Sequence, residues 1–177
     1  MTVLPIIQPD NPLLRRQAKR ITCFDAELQL LIGDMVETMT AAQGVGLAGP
    51  QVAQSSRLIV VRLPDDEDSV EEYGEDAGKL YIVANPSIVW RSDDKASGVE
   101  GCLSLPGLLG DVERFASIEI AGQDRQGEPI RLTAKGWLAR VFQHEIDHLD
   151  GVLYIDIATA VWRPEEEDNL AGEVSEA

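Results

Sequence analysis

The chain has 177 residues, 44% of them hydrophobic and 26% charged, a size and composition that indicate one globular domain. Its formal net charge of −16 would repel phosphate groups, so general nucleic-acid binding is not an expected function. No apolar run reaches the length of a membrane span, the first residues lack the features of a signal peptide, and two cysteines do not make a disulfide scaffold. We therefore expect a cytoplasmic protein with no membrane partner.

The first predicted elements are an extended arm and a helix. Prolines and a cluster of basic residues predict an arm with a short turn over residues 9–20. A helix is predicted over residues 26–42, with Asp25 as its N-cap and Gly44 just past its end. The apolar residues at helical spacing, which we expect in the core, are Leu28, Leu31, Ile32, Met35 and Met39.

The middle of the chain has the pattern of short antiparallel strands. The predicted strands cover residues 57–63, 80–84, 88–91, 117–122 and 129–133, the last two forming a hairpin. Residues 65–76 hold eight acidic residues and no basic one, which predicts a solvated loop or disorder. From residue 165 onward six more acidic residues follow. We expect one catalytic domain over residues 1–163 and an acidic, flexible tail over residues 164–177.

The last predicted element is a helix over residues 134–149, which Gly151 ends. It is apolar around most of its circumference, which is typical of a buried helix, and a narrow polar strip holds Arg140, Gln143 and Asp147. The order of helix, several strands and helix predicts an α+β fold rather than a repeating βαβ one.

This second helix carries the only two histidines of the chain, His144 and His148. Residues four apart share a helix face, with Cβ atoms about 5–6 Å apart, so both imidazoles can reach one metal ion. Glu145 completes an H-E-x-x-H pattern and is placed to take a proton from a water molecule. Because ionisable groups on a buried helix are costly without such a use, the pattern favours a metal-dependent hydrolase over a surface helix that happens to carry two histidines.

Several residues are alternatives for a third metal ligand. The histidine that metzincins place after H-E-x-x-H is replaced here by Tyr154, which excludes that class. Glutamates at residues 165–167 remain an alternative. Cys102 is favoured, because it follows a glycine that permits close backbone approach, and a thiolate with two imidazoles leaves a fourth position open. Cys23 has no such surroundings and is predicted to be a small buried hydrophobe.

Three segments together resemble the motifs of the peptide deformylase family. They are GVGLAGPQ at residues 44–51, EGCLS at residues 100–104 and QHEIDHL at residues 143–149, in the family's order and spacing. The resemblance implies an α+β fold with antiparallel sheets around a central metal-bearing α-helix. This agrees with the predicted order of elements.

The resemblance also implies an activity, a metal ion and partners. The family removes the formyl group from the N-terminal formyl-methionine of newly made polypeptides and releases formate. The implied ion is Fe²⁺, with Zn²⁺, Ni²⁺ or Co²⁺ as substitutes, whereas the ligand types alone would suggest zinc. The implied partners are N-formyl-methionyl nascent peptides, with a transient ribosome contact. Competing hypotheses are a zinc peptidase of other specificity and a non-catalytic relative that binds N-terminal peptides.

Carried over position by position, the resemblance assigns a role to six residues. The implied metal ligands are Cys102, His144 and His148. The implied acid/base is Glu145, and the implied oxyanion donors are the Gln51 side-chain amide and the Leu103 backbone N–H.

Four further residues are expected to bind substrate. Val45 and Gly46 lie in the first motif, where a glycine lets the backbone approach a bound peptide, although this turn also serves as the end of a helix. Trp137 and Val141 precede His144 on its helix face and are equally well explained as walls of a methionine pocket or as plain core. Gly49 stands where the family commonly has alanine, and we expect extra backbone freedom there, near Gln51.

Overall fold

Two antiparallel sheets and one central helix organise residues 2–164, which this computed structural model describes. The helices are α1 (Ala26–Ala41), α2 (Glu67–Tyr73) and α3 (Gly136–Leu149). The strands are β1 (Gly46–Ala48), β2 (Leu58–Arg62), β3 (Leu80–Arg91), β4 (Lys95–Gly101), β5 (Leu109–Phe115), β6 (Ser117–Gln123), β7 (Pro129–Lys135) and β8 (Ala160–Trp162). The larger sheet has the order β1-β2-β3-β6-β7 and the smaller one β4-β5-β8. The predicted α+β class is confirmed.

The larger sheet packs between α1 and α3. Strand β2 shows why, since successive side chains of a strand point to opposite faces. Ile59 and Val61 belong to the hydrophobic cluster that includes α3, whereas Leu58 and Val60 belong to the cluster that includes α1. All four side chains are fully buried. A strand buried on both faces appears in the sequence as a continuous apolar run, and such a run predicts the strand at residues 57–63.

The smaller sheet packs against the polar strip of α3. Gln143 donates to the Phe115 carbonyl at 3.0 Å and accepts from the Phe115 N–H at 3.1 Å, and Asp147 is paired with Arg114. Helix α3 is therefore central because its apolar side covers the larger sheet and its polar strip bonds to the smaller one.

Helix α1 begins as predicted and ends one residue earlier. The Asp25 side chain accepts the Leu28 N–H at 3.1 Å, as an N-cap does. At the other end Gln43, with φ of 54°, is the left-handed residue, and the Gly44 N–H bonds to the Met39 carbonyl at 2.9 Å. The helix therefore ends in a Schellman motif, in which Gln43 is the left-handed residue and Gly44 follows it.

Helix α3 begins two residues later than predicted, because residues 134 and 135 belong to β7. They pair with Ile118 and Ser117 of β6, and the predicted hairpin of β6 and β7 is confirmed. Gly151, with φ of 77°, follows the helix, and the Val152 N–H bonds to the Asp147 carbonyl at 2.9 Å. The prediction that Gly151 ends this helix is confirmed.

The prediction of the strands was wrong in two respects. Residues 80–84 and 88–91 form one strand, β3, which bends at irregularities in its pairing with β6. Strands β1, β4, β5 and β8 were missed. In β5 the inward positions are Gly110, Val112 and Arg114, so burial alternates along the strand while hydrophobicity does not. Pattern recognition depends on hydrophobicity and therefore fails there.

The acidic segment was wrongly predicted as a loop or disorder, because residues 67–73 form α2. The Asp66 side chain caps the helix by accepting the Ser69 N–H at 3.0 Å. Acidic residues in the first turn are favourable beside the positive end of the helix dipole. Tyr73 packs against the core cluster of α3, which ties the segment to the domain.

Two further expectations concerned a membrane span and the acidic tail. Among residues 2–164 no helix combines the length and the apolar character that crossing a membrane requires. The predicted acidic tail lies outside the described residues, apart from Pro164.

Candidate metal centre

The structure brings the thiol of Cys102 and the imidazoles of His144 and His148 together. One ligand atom from each of the three lies within 4.8 Å of the others. Cys102 Sγ is 3.2 Å from His148 Nε2, and the centroids of the two imidazole rings are 4.9 Å apart. Cys102 directly follows β4 of the smaller sheet, and both histidines lie on α3. A thiolate with two imidazoles is a donor set that fits a divalent transition metal.

Glu100, which sequence reasoning missed, holds His144 in place. Its Oε2 accepts from His144 Nδ1 at 2.9 Å, which leaves Nε2 of that ring for a metal. Burial alone would raise the pKa of Glu100, but hydrogen bonds from His144 and Arg114 outweigh it and lower that pKa to about 2. The sequence did hold a signal for Glu100, because it stands two residues before Cys102. Alternate residues of an extended segment point to the same side, so two such side chains can be expected to lie together.

His148 lies deepest in the site and is 1% exposed. Burial lowers the pKa of His148 well below its usual range. The neutral imidazole is the form that binds metals. Its Nδ1 has no hydrogen-bond partner among residues 2–164.

Glu145 is buried and faces the cavity beside the two histidines. Burial raises the pKa of its carboxyl group to about 7. Its Oε2 has no hydrogen-bond partner in the described part of the chain. Gly46 makes room for it, because a Cβ at Gly46 would lie 2.3 Å from Glu145 Oε1. A carboxyl group with a pKa near neutral can both accept and return a proton.

Gln51 is fixed with its amide nitrogen towards the site. Its Oε1 accepts the Ala48 N–H at 2.8 Å, and Nε2 lies 3.5 Å from Cys102 Sγ and 3.4 Å from Ser104 Oγ. The turn that carries Gln51 is tight at Gly49, where a Cβ would lie 2.4 Å from the Ser56 carbonyl oxygen. The glycine is therefore needed for a close backbone approach, whereas the extra backbone freedom expected at Gly49 stays a prediction.

A cavity of about 380 Å³ lies beside these groups. All four residues predicted to bind substrate line it, namely Val45, Gly46, Trp137 and Val141. Val141 also belongs to the core cluster of α3 and Trp137 packs against that cluster, so both residues line the cavity and take part in the core. Their role in a methionine pocket stays a prediction. Gln51, Leu103 and Glu145 line the cavity as well. Its apolar residues that the sequence did not indicate include Leu105, Leu108 and Leu109.

Two other predictions concerned Cys23 and the glutamates at residues 165–167. Cys23 is exposed, not buried, because it lies in the segment just before α1 and its thiol donates to Asp25 at 3.1 Å. The alternative ligands at residues 165–167 lie outside the described residues.

The fold and the site together define a metal-dependent hydrolase with H-E-x-x-H on its central helix. Comparison with known proteins gives the family. A family model described as polypeptide deformylase matches residues 3–163. The peptide deformylase of Symbiobacterium thermophilum is 46% identical over 176 residues, which cover 99% of this chain and 76% of that relative. That of Natranaerobius thermophilus is 42% identical over 166 residues, covering 94% and 99%.

Solved structures agree with this result. The crystal structure of the Thermotoga maritima peptide deformylase has a TM-score of 0.80 and 38% identity, covering 90% of this chain and 100% of that one. The Synechococcus elongatus peptide deformylase in complex with actinonin has a TM-score of 0.79 and 39% identity, covering 90% and 81%. The chain belongs to the polypeptide deformylase family. It is a metal-dependent hydrolase that removes the N-formyl group from the methionine of nascent peptides.

Proposed function

We propose that Cys102, His144 and His148 hold one divalent metal ion and that this ion is Fe²⁺, with Zn²⁺, Ni²⁺ or Co²⁺ as substitutes. The observation that carries the proposal is the approach of the three donor atoms to within 4.8 Å of one another. The choice of iron rests on the resemblance of the three sequence motifs. A bound cation of this type acidifies water and polarises a carbonyl oxygen.

Glu145 is the proposed acid/base of the reaction. Water attacks the formyl carbon, Glu145 takes a proton from that water, and the proton passes to the amine that leaves with the methionine. The buried Oε2, which has no hydrogen-bond partner among residues 2–164, and the pKa near 7 support both halves of this role.

Gln51 and Leu103 are the proposed donors to the formyl oxygen, on which negative charge develops. The Ala48 N–H fixes the carbonyl oxygen of the Gln51 amide, so the NH₂ group is held towards Cys102 and the cavity. Within residues 2–164 the Leu103 N–H has no backbone acceptor. Donors that are oriented before the reaction stabilise such charge most effectively.

The cavity is the proposed site of the methionine side chain. Trp137 and Val141 line it from α3, and Val45 and Gly46 line it where β1 begins. Because β1 is an edge strand of the larger sheet, its backbone can pair with an extended peptide. We further propose that residues 1–163 form the whole catalytic domain and that it works in the cytoplasm. Its partners are formylated nascent peptides and, transiently, the ribosome, without nucleic-acid specificity or a membrane partner.

The test is an anaerobic assay of formate release from a formyl-Met tripeptide. We expect Glu145→Ala to lower the rate by about 10²–10⁴-fold. Glu37→Ala is the matched control, because Glu37 also has a buried carboxylate oxygen without a described partner but does not line the cavity. No formate from the metal-loaded chain would contradict the activity at this site, and an unchanged rate for Glu145→Ala would contradict the role of Glu145. Cleavage of unformylated peptides that persists in Cys102→Ser would instead support a peptidase.

A further inference from the structure

Arg140 lies one turn before His144 on α3, and no step of the proposed reaction uses it. It is 6% exposed, although part of its surface lines the cavity. A buried guanidinium needs acceptors for its N–H groups. Arg140 finds them on the smaller sheet, where Nη2 donates to the Ala96 carbonyl at 2.7 Å and Nη1 to the Val112 carbonyl at 2.8 Å.

Arg140 and His144 also share one carboxylate. Glu100 Oε1 accepts from Arg140 Nη1 at 2.9 Å, and Glu100 Oε2 accepts from His144 Nδ1 at 2.9 Å. Arg114 binds both oxygens, at 2.9 and 3.0 Å, but it is itself shared with Asp147. Four donors therefore hold the carboxylate, and Arg140 donates to Oε1, the oxygen that His144 does not use.

The backbone of β4 is shaped around this guanidinium. A Cβ at Gly98 would lie 2.9 Å from both Cζ and Nη2 of Arg140, and Nη1 is 3.3 Å from the Gly98 carbonyl oxygen. The same strand carries Glu100 and leads directly into Cys102. The contact between the Arg140 guanidinium and β4 therefore helps to fix the position of Cys102 relative to α3.

We propose that Arg140 is a positioning residue for the metal centre. It clamps β4, with Glu100 and Cys102, to the turn of α3 that precedes His144, so that ligands from two separate elements meet at the right distance. This inference rests on the proposed metal site. It differs from a purely structural role because it predicts a change in metal binding that exceeds any change in folding.

The experiment uses the full chain loaded with Co²⁺ and compares Arg140→Met with Arg57→Met. Arg57 is a matched arginine, 17% exposed at its side chain, which donates to the Pro86 carbonyl at 3.0 and 3.1 Å and to Asp150 at 2.7 Å. These bonds involve neither a metal ligand nor Glu100. The readouts are the thiolate-to-cobalt absorption band, the Co²⁺ dissociation constant from competition with a chelator, and the melting temperature. We expect Arg140→Met to shift the band and to raise the dissociation constant about 10- to 100-fold. We expect Arg57→Met to lower the melting temperature and to leave the dissociation constant unchanged.

A lower melting temperature for Arg140→Met with an unchanged band and dissociation constant would overturn the proposal. If Arg140→Met does not fold, Gly98→Ala replaces it, because the added methyl group displaces the guanidinium while Arg140 remains. Gly98→Ala should then also weaken Co²⁺ binding, and an unchanged dissociation constant would overturn the proposal. Failure of the proposed function would give a different result from failure of this inference. A wild-type chain that binds Co²⁺ in the cysteine-containing site but releases no formate would contradict the activity alone.

Discussion

Two glycines of the first motif owe their identity to different neighbours. A methyl group at Gly46 would strike the side chain of Glu145, whereas one at Gly49 would strike the backbone carbonyl of Ser56. A side chain can rotate away from such a contact at the expense of its position, but a backbone carbonyl moves only with its loop. We therefore expect the first substitution to affect catalysis and the second to affect stability.

Gly46→Ala should lower kcat for formate release by about 100-fold, because a displacement of about 1 Å at a reacting group has effects of that size. The melting temperature should change little, since the displaced group is the tip of Glu145. Steady-state kinetics and a thermal melt on the same metal-loaded sample measure both. An unchanged kcat would show that the carboxylate adjusts without losing its role.

Gly49→Ala should destabilise the fold by about 1–3 kcal/mol, the usual range for forcing extra volume into a packed site. Urea unfolding at fixed metal concentration measures the free energy of unfolding. Activity per folded molecule should fall less than in Gly46→Ala, because Gly49 does not contact Glu145. An unfolding free energy equal to that of the wild type would mean that the turn near Ser56 opens easily.

At the scale of elements, helix α3 is joined to the smaller sheet by a side chain that takes the place of a backbone hydrogen-bond partner. Gln143 bonds to both the N–H and the carbonyl of Phe115, and its Nε2 also donates to the Ala139 carbonyl at 3.0 Å. Phe115 is the last residue of β5, where the ladder with β4 ends. One amide side chain thus continues the hydrogen bonding of a strand onto a helix.

Gln143→Leu should lower the free energy of unfolding by about 2 kcal/mol, because it leaves part-buried backbone groups of Phe115 and the buried Ala139 carbonyl without this partner. Gln29→Leu is the control, since the Gln29 side chain bonds to Arg125 at the surface, and its effect should stay within about 0.5 kcal/mol. Chemical denaturation of both variants at the same metal concentration gives the comparison. Equal effects would contradict the importance of the buried bonds.

The same elements show what the sequence could reveal. Helices α1 and α3, strand β2 and the hairpin of β6 and β7 follow from periodicity and turn residues, because each signal lies within one short segment. The two histidines and Glu145 were found for the same reason. Strands β4 and β5 were missed because Gly98 and Arg114 are inward residues whose burial depends on partners elsewhere in the chain. The roles of Glu100 and Arg140 were missed because the bond between them connects residues forty positions apart.

The whole molecule is strongly acidic, with 31 acidic and 15 basic side chains. Such a field attracts positively charged peptides and repels negatively charged ones over about 30 Å at 0.01 M salt, but only about 3 Å at 1 M. A substrate's charge should therefore matter most in dilute buffer.

A formyl-Met tripeptide ending in an amidated lysine should have a several-fold higher kcat/KM at low salt than one ending in an amidated glutamate. The ratio should approach one as salt rises, because screening removes the long-range attraction. Initial rates at a series of sodium chloride concentrations measure it. A ratio that is independent of salt would indicate local contacts in place of the overall field.

The metal ligands come from two places that are far apart in the chain, Cys102 after β4 and the two histidines on α3. Residues 103–143 lie between them, so a ribosome has synthesised the cysteine long before the histidines. A partly made copy of the chain has no complete ligand set until residue 148 has been added and α3 has packed between the sheets. The enzyme's activity therefore requires a chain that extends through α3, and fragments that end before α3 can neither hold the ion in this site nor hydrolyse the products of other ribosomes.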